Sequence, residues 1–204
     1  MSYDQSPSAY DLQFGHEPQS AVSWGAIFAG AAAALAMAFV LTGLAAGFGL
    51  KLAAPWPGGR AATADFTPIL GAWMIVVQVL ASALGGYLAG RLRTKWLNVH
   101  AHEVHFRDTA HGLLVWALST LAGVVLVAGV MPSPAEVANA TAGLDPAALQ
   151  RQANIAAQLS LFTAIGLLLS AFIASVAAAI GGLRRDDVHA LFWDQRRPER
   201  APSI

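Results

Sequence analysis

The sequence predicts an all-α polytopic membrane protein, with four transmembrane helices arranged as two helical hairpins and both ends of the chain inside. Three observations predict it. Apolar residues make up 56% of the 204 and charged residues only 12%, and mean hydropathy is +0.53, outside the range of soluble domains. Side chains that carry full charge leave four long gaps, at 18–50, 66–90, 109–135 and 152–183. Each gap can hold the roughly 20-residue helix that crosses ~30 Å of hydrocarbon. Finally, lysine and arginine concentrate on one side of the four gaps.

Taken in order, residues 1–20 are rich in Ser, Asp, Gln and Pro and lack apolar periodicity, which predicts a flexible tail. The first span is placed at 24–50. No Lys or Arg precedes it and it exceeds a signal-peptide core in length, so it reads as a permanent helix. The loop 51–68 contains Pro55, Pro57, Gly58 and Gly59 and cannot be one helix, and its Trp56 is expected at headgroup level. The second span follows at 69–90, an inner loop at 91–111 and the third span at 112–131. In the outer loop 132–154, Ser133 and Glu136 have capping-box spacing, and Asp145 before Pro146 signals a second helix start. That second helix can run unbroken into the fourth span, placed at 155–183. Val188, Leu191 and Phe192, with Trp193 beside them, predict a short interfacial helix that ends a membrane domain of 21–193. A tail, 194–204, closes the chain.

Orientation follows from the basic residues. Arg91, Arg93, Lys95, Arg107, Arg184, Arg185, Arg196, Arg197 and Arg200 fall on one side, whereas Lys51, Arg60 and Arg151 fall on the other. Basic residues are retained in the cytoplasm, so both termini and loop 91–111 are expected inside, and loops 51–68 and 132–154 outside. The exit of span two, GGYLAGRLR, is like that of span four, AAIGGLRRD. An internal repeat and shared membrane-exit chemistry, with arginines snorkelling to the boundary, both account for the likeness.

Within the spans, small residues recur at four-residue spacing, which places them on one helix face. They are Ala26, Gly30, Ala34 and Ala38, then Gly43 and Gly47, in span one. Span two has Ser82, Gly86 and Gly90, and span four Gly166, Ser170, Ala174, Ala178 and Gly182. Lipid supplies little hydrophobic drive for association, and such faces let helix backbones approach closely. Span three carries bulky Leu113, Leu114, Trp116, Leu118 and Leu121, which marks it as lipid-facing or partner-facing.

Chemistry is sparse. The absence of cysteine excludes disulfides, thiolate zinc sites, iron–sulfur clusters and cysteine nucleophiles. Twelve basic residues balance twelve acidic ones, which leaves no global field for nucleic acid. No Asp, Glu, Lys or Arg lies inside a span, which weakens a proton- or ion-coupled transporter. Gln78, near the middle of span two, is expected to make an interhelical hydrogen bond or to touch a pore. Thr42, Ser82, Thr120 and Ser170 can bond back to their own helices.

The titratable groups gather in WLNVHAHEVHFRDTAHG. His102, His105, Asp108 and His111 follow one another at three-residue steps, an alternative candidate for a metal site, although the HEVH run is one residue short of HExxH. Asp108 is expected to cap span three, with His111 in its first turn and Arg107 paired with lipid phosphate or an acid. Arg91, Arg93, Arg107, Asp108, Arg184 and Arg185 form the expected cytoplasmic interface. No catalytic residue and no cofactor are predicted.

VSWGAIFAG opening span one, LGGYLAGRLRTKW leaving span two and EVHFRDTAHGLLVWAL leading into span three together resemble a family of small four-span bacterial inner-membrane proteins, some labelled "PhnA-like". The resemblance covers spans one to three. It implies the bacterial cytoplasmic membrane and brings no catalytic residue with it. The leading expectation is a non-enzymatic scaffold or accessory subunit whose partners are the bilayer and other membrane subunits or copies of itself. A small oligomeric channel or transporter, and a metal or pH sensor built on the histidine-rich loop, are the alternatives.

Overall fold

In a computed structural model of the chain, the described residues are 20, 22–48, 67–94, 101–129 and 132–194. They form five helices: α1 Trp24–Gly47, α2 Pro68–Leu92, α3 Ala101–Ala128, α4 Pro134–Thr141 and α5 Pro146–Asp194. No strand occurs among them. α1, α2, α3 and α5 are each long and apolar enough to cross a membrane. The expected tails, most of loop 51–68 with Trp56, and Lys95 to His100 lie outside the described residues.

Local chemistry sets the helix ends. Thr67 caps α2, its hydroxyl accepting from Leu70 N at 3.3 Å, with Pro68 in the first turn, where a missing N–H costs nothing. Ser133 and Glu136 form the capping box that starts α4: Ser133 N donates to Glu136 Oε2 at 2.6 Å and Glu136 N to Ser133 Oγ at 3.3 Å. Gly143, at φ 85°, turns the chain between α4 and α5 in a conformation that favours glycine. Asp145 caps α5 by accepting from Ala148 N at 2.6 Å. α5 then runs 49 residues without interruption, so no separate helix follows the fourth span.

α2 is the central helix. It packs most extensively on α5, then on α1, and also on α3. α3 joins both outer partners, whereas α1 and α5 share no comparable contact. Residue pairs give the directions. Gly71 faces Phe162, Gly86 faces Ala174 and Gly90 faces Ala178, so α2 and α5 run parallel. Gly30 faces Gly85, which makes α1 and α2 an antiparallel hairpin, and Trp116 Nε1 donates to Ser170 Oγ at 3.0 Å across antiparallel α3 and α5. The similar exits of α2 and α5 therefore belong to two helices that lie side by side.

The interior is made of small side chains and the exterior of large ones. Ala31, Ala34, Ala89, Ala174 and Ala178 are buried around Ile27 and Val115, while Phe28, Phe39, Val125, Leu168 and Phe172 are exposed. Water would drive those large groups inward, whereas hydrocarbon does not. A methyl added to Gly30 would come within 2.5 Å of Gly85 O, and one on Gly85 within 2.6 Å of Gly30 O. Added methyls at Gly86 and Gly90 would overlap the carbonyls of Ala174 and Ala178. Glycine is required at these crossings because the obstacle is backbone, which cannot rotate aside.

Candidate functional site

The bundle has one charged end, where α1 and α3 begin and α2 and α5 finish. Here the last turn of α2 presents Arg91 and Arg93, the first turns of α3 present Glu103 to His111, and α5 presents Arg184 to Asp187. Arg93 Nε donates to Asp108 Oδ1, and the two side chains are only 0% and 1% exposed. Gly182 of α5 makes room for this pair, since a Cβ there would overlap Asp108 Oδ2. One ion pair thus holds α2, α3 and α5 at a common point.

Two further bonds lock the same end. Arg185 Nη1 donates to Gly90 O at 3.2 Å and Arg93 O at 3.1 Å, placing a buried cation on the carbonyls that the end of α2 leaves unpaired. Its Nη2 donates to Asp186 Oδ1 at 2.9 Å. His111 is 2% exposed and bridges α3 to the start of α1: Ser23 N donates to His111 Nε2 at 2.9 Å, and His111 Nδ1 lies 2.6 Å from Arg107 O. An imidazole that accepts at Nε2 and donates at Nδ1 to a carbonyl is the neutral Nδ1–H tautomer.

Several expectations change. Asp108 does not cap span three, because α3 begins seven residues earlier, at Ala101; its carboxylate joins Arg93 instead. His111 accordingly sits in the third turn, and the connection between α2 and α3 is much shorter than 91–111. Arg107 donates to Glu103 Oε1 at 2.7 Å, one helical turn back, on an exposed surface. His105 is exposed, and the side chain of His102 lies outside the described residues. Because Asp108 and His111 are turned inward to other helices, they do not join His105 in a ligand set. Among the described residues, no group of three or more His, Asp or Glu converges as a metal site.

The small-residue positions divide. Ala26, Gly30 and Ala34 of α1, Ser82, Gly86 and Gly90 of α2, and Gly166, Ser170, Ala174, Ala178 and Gly182 of α5 are all buried. Gly47 is exposed with open space around it, and Gly43 is only half-buried, so that pair forms no seam. Arg91 is half-buried and Arg184 exposed. α3 combines two surfaces. Gly112 and Val115 are buried near the charged end, with Gly112 against Ala174, whereas Leu121 and Val124 to Val127 are exposed towards the far end. The bulk of the leucines concealed the glycine contact at the start of the span.

About 22 Å from the charged end, at 1.5 Å per residue from Arg93 back to Gln78, the four long helices part around a cleft. Its volume is ≈ 540 Å³, and it is walled mostly by methyl and methylene groups from α1, α2, α3 and α5. Gln78 lies there with its amide flat against Gly166, where a Cβ would come within 2.7 Å of Oε1. That oxygen is enclosed and has no hydrogen-bond partner among the described residues, so the expected interhelical bond is not made. Thr42 and Ser170 bond back to Ala38 O and Leu167 O, as such hydroxyls do within helices. Ser82 and Thr120 make no such bond, and with Thr163 they line the cleft.

Compared with protein-family models, curated proteins and solved structures, the chain matches none.

Proposed function

We propose that this chain is a four-span integral protein of a bacterial cytoplasmic membrane, both termini inside, that serves as a non-enzymatic scaffold or accessory subunit of a membrane complex. One observation carries the reading: the groups best suited to chemistry are already engaged in joining helices. Asp108 is held by Arg93, His111 by Ser23 and the Arg107 carbonyl, and Arg185 by the end of α2. A general acid or base must release such bonds to act, and here release separates helices. What this leaves on the surface, Arg91, Glu103, His105, Arg184 and Asp187, suits recognition by another protein on the basic, cytoplasmic side.

Extraction of the full chain in mild detergent, followed by identification of co-purifying proteins and measurement of mass, tests the reading. A stoichiometric partner or a defined homo-oligomer is expected. A lone monomer under every gentle condition overturns it. A second reading, a small channel or transporter, is favoured by the polar groups in the central cleft. It requires solute flux or conductance in liposomes that Gln78→Leu changes.

A further inference from the structure

The wall of the central cleft is mostly apolar but carries a few hydroxyls that the surrounding fold leaves without a bond. Ser82 is only 6% exposed, lines the cleft and has no hydrogen-bond partner among the described residues. Thr120 and Thr163 bring two more hydroxyls, from α3 and α5, that make no bond among the described residues, and the Gln78 side chain lines the same space with its Oε1 enclosed against Gly166 without a partner. In hydrocarbon, each such group lacks the water that would satisfy it, and leaving it unmet is costly. Three unmet hydroxyls from three helices lining one space are not a packing requirement, since methyl-bearing side chains fill such space as well.

From this we infer that the cleft is a binding site for a neutral, lipophilic molecule with one hydrogen-bonding headgroup of the alcohol or carbonyl type on an apolar body. The residues set each part of that description. No Asp, Glu, Lys, Arg or His lines the cleft, so a charged headgroup meets no counter-charge, and a lone charge at this depth is strongly disfavoured. The amide and hydroxyls can both donate and accept, which suits either an alcohol or a carbonyl. A volume of ≈ 540 Å³ lies in the range of small-molecule sites. At about 30 Å³ per water-sized group it holds about 18 such groups, enough for a twelve-carbon chain and its headgroup.

The fold also provides a way to block the site without breaking the bundle. Gly123 lines the cleft, and a Cβ added there meets nothing within 4 Å, unlike one at Gly85, Gly86 or Gly90. Gly123→Phe therefore projects into the cleft and leaves the helix crossings intact.

The test uses the full chain in phospholipid nanodiscs and a diazirine-bearing 1-dodecanol, with cross-linked residues mapped by mass spectrometry. Saturable labelling is expected within 119–128 and 163–170, displaced by unlabelled 1-dodecanol at least about tenfold more effectively than by dodecane or dodecyl phosphate, the equivalent of about one good hydrogen bond. Gly123→Phe should abolish labelling without lowering the thermal unfolding temperature. Gln78→Leu combined with Thr120→Val should remove the preference of alcohol over alkane but keep alkane competition. The inference is overturned if dodecane competes as well as 1-dodecanol on the unaltered chain, which would mean a groove for lipid acyl chains only. It is equally overturned if labelling persists in Gly123→Phe, or is no greater in the cleft than on outward-facing Leu161 and Phe172.

Discussion

Replacing Asp108 by alanine removes the carboxylate that the Arg93 guanidinium meets in the interior. Both side chains are almost fully excluded from solvent, at 0% and 1% exposure, so the weakening that water imposes on surface pairs does not apply. Breaking one half of such a buried pair costs about 3–5 kcal/mol, because a charge is left in place without its counter-charge. That is a large part of the ~5–15 kcal/mol that typically separates folded from unfolded protein. Arg93→Met should cost a similar amount by stranding the carboxylate against Gly182. The double variant removes both charges, and its loss should fall to about 1–2 kcal/mol, short of the sum of the single losses by several kcal/mol. Reversible unfolding in mixed micelles, followed by circular dichroism for all four proteins, measures the coupling. Single losses that add to the double within about 0.5 kcal/mol would refute the pair as the clasp of the charged end.

Three further predictions follow from the same geometry. Gly90→Ala pushes a methyl into the Ala178 carbonyl and should destabilise by about 1–3 kcal/mol, whereas Gly123→Ala, with open space, should stabilise by up to about 1 kcal/mol through helix propensity; melting in one detergent reads both signs. Arg185→Ala removes the cation on Gly90 O and Arg93 O and should cost about 1.5–3 kcal/mol, with faster amide exchange confined to the last turn of α2. The bonds from Ser133 hold the Glu136 carboxyl below its ordinary value, so its contribution to α4 is present above that value and is lost as pH falls through the depressed one. Amide exchange along α4 should therefore rise as pH is lowered from about 7 to about 3, and Glu136→Gln, which removes the titrating carboxyl, should remove the dependence.

Much of the architecture was legible because long apolar stretches and small-residue spacing follow simple rules. Long charge-free gaps become helices, and glycine or alanine every fourth residue becomes a seam, as in Gly166, Ser170, Ala174, Ala178 and Gly182. Helix ends were legible where a cap and a proline coincide, as at Asp145 and Pro146. The charged end was harder to read. Asp108 has the chemistry of both an N-cap and an ion-pair partner, and only the early start of α3 decides between them. Periodicity could not locate that start, since Ala101 to Arg107 is polar and α3 becomes apolar only later. Gly112 and Gly123 look alike in sequence, yet one touches the backbone of α5 and the other lines a cleft, a difference set by how the helices diverge. Gln78 was visible as an unusual residue, but apart from Ser82 the hydroxyls near it, Thr120 and Thr163, come from two other helices far apart in the chain.

The length of α5 has a mechanical consequence. Its 49 residues extend about 73 Å, more than twice the thickness of a hydrocarbon core. From Pro146 to Leu161 it is mostly exposed, and between Pro146 and Gly166 there is neither glycine nor proline to act as a joint. A tug or tilt applied to that exposed stub therefore meets no joint before Gly166, where the helix lies on the Gln78 amide. The helix is a pushrod, and the cleft lies along its stroke.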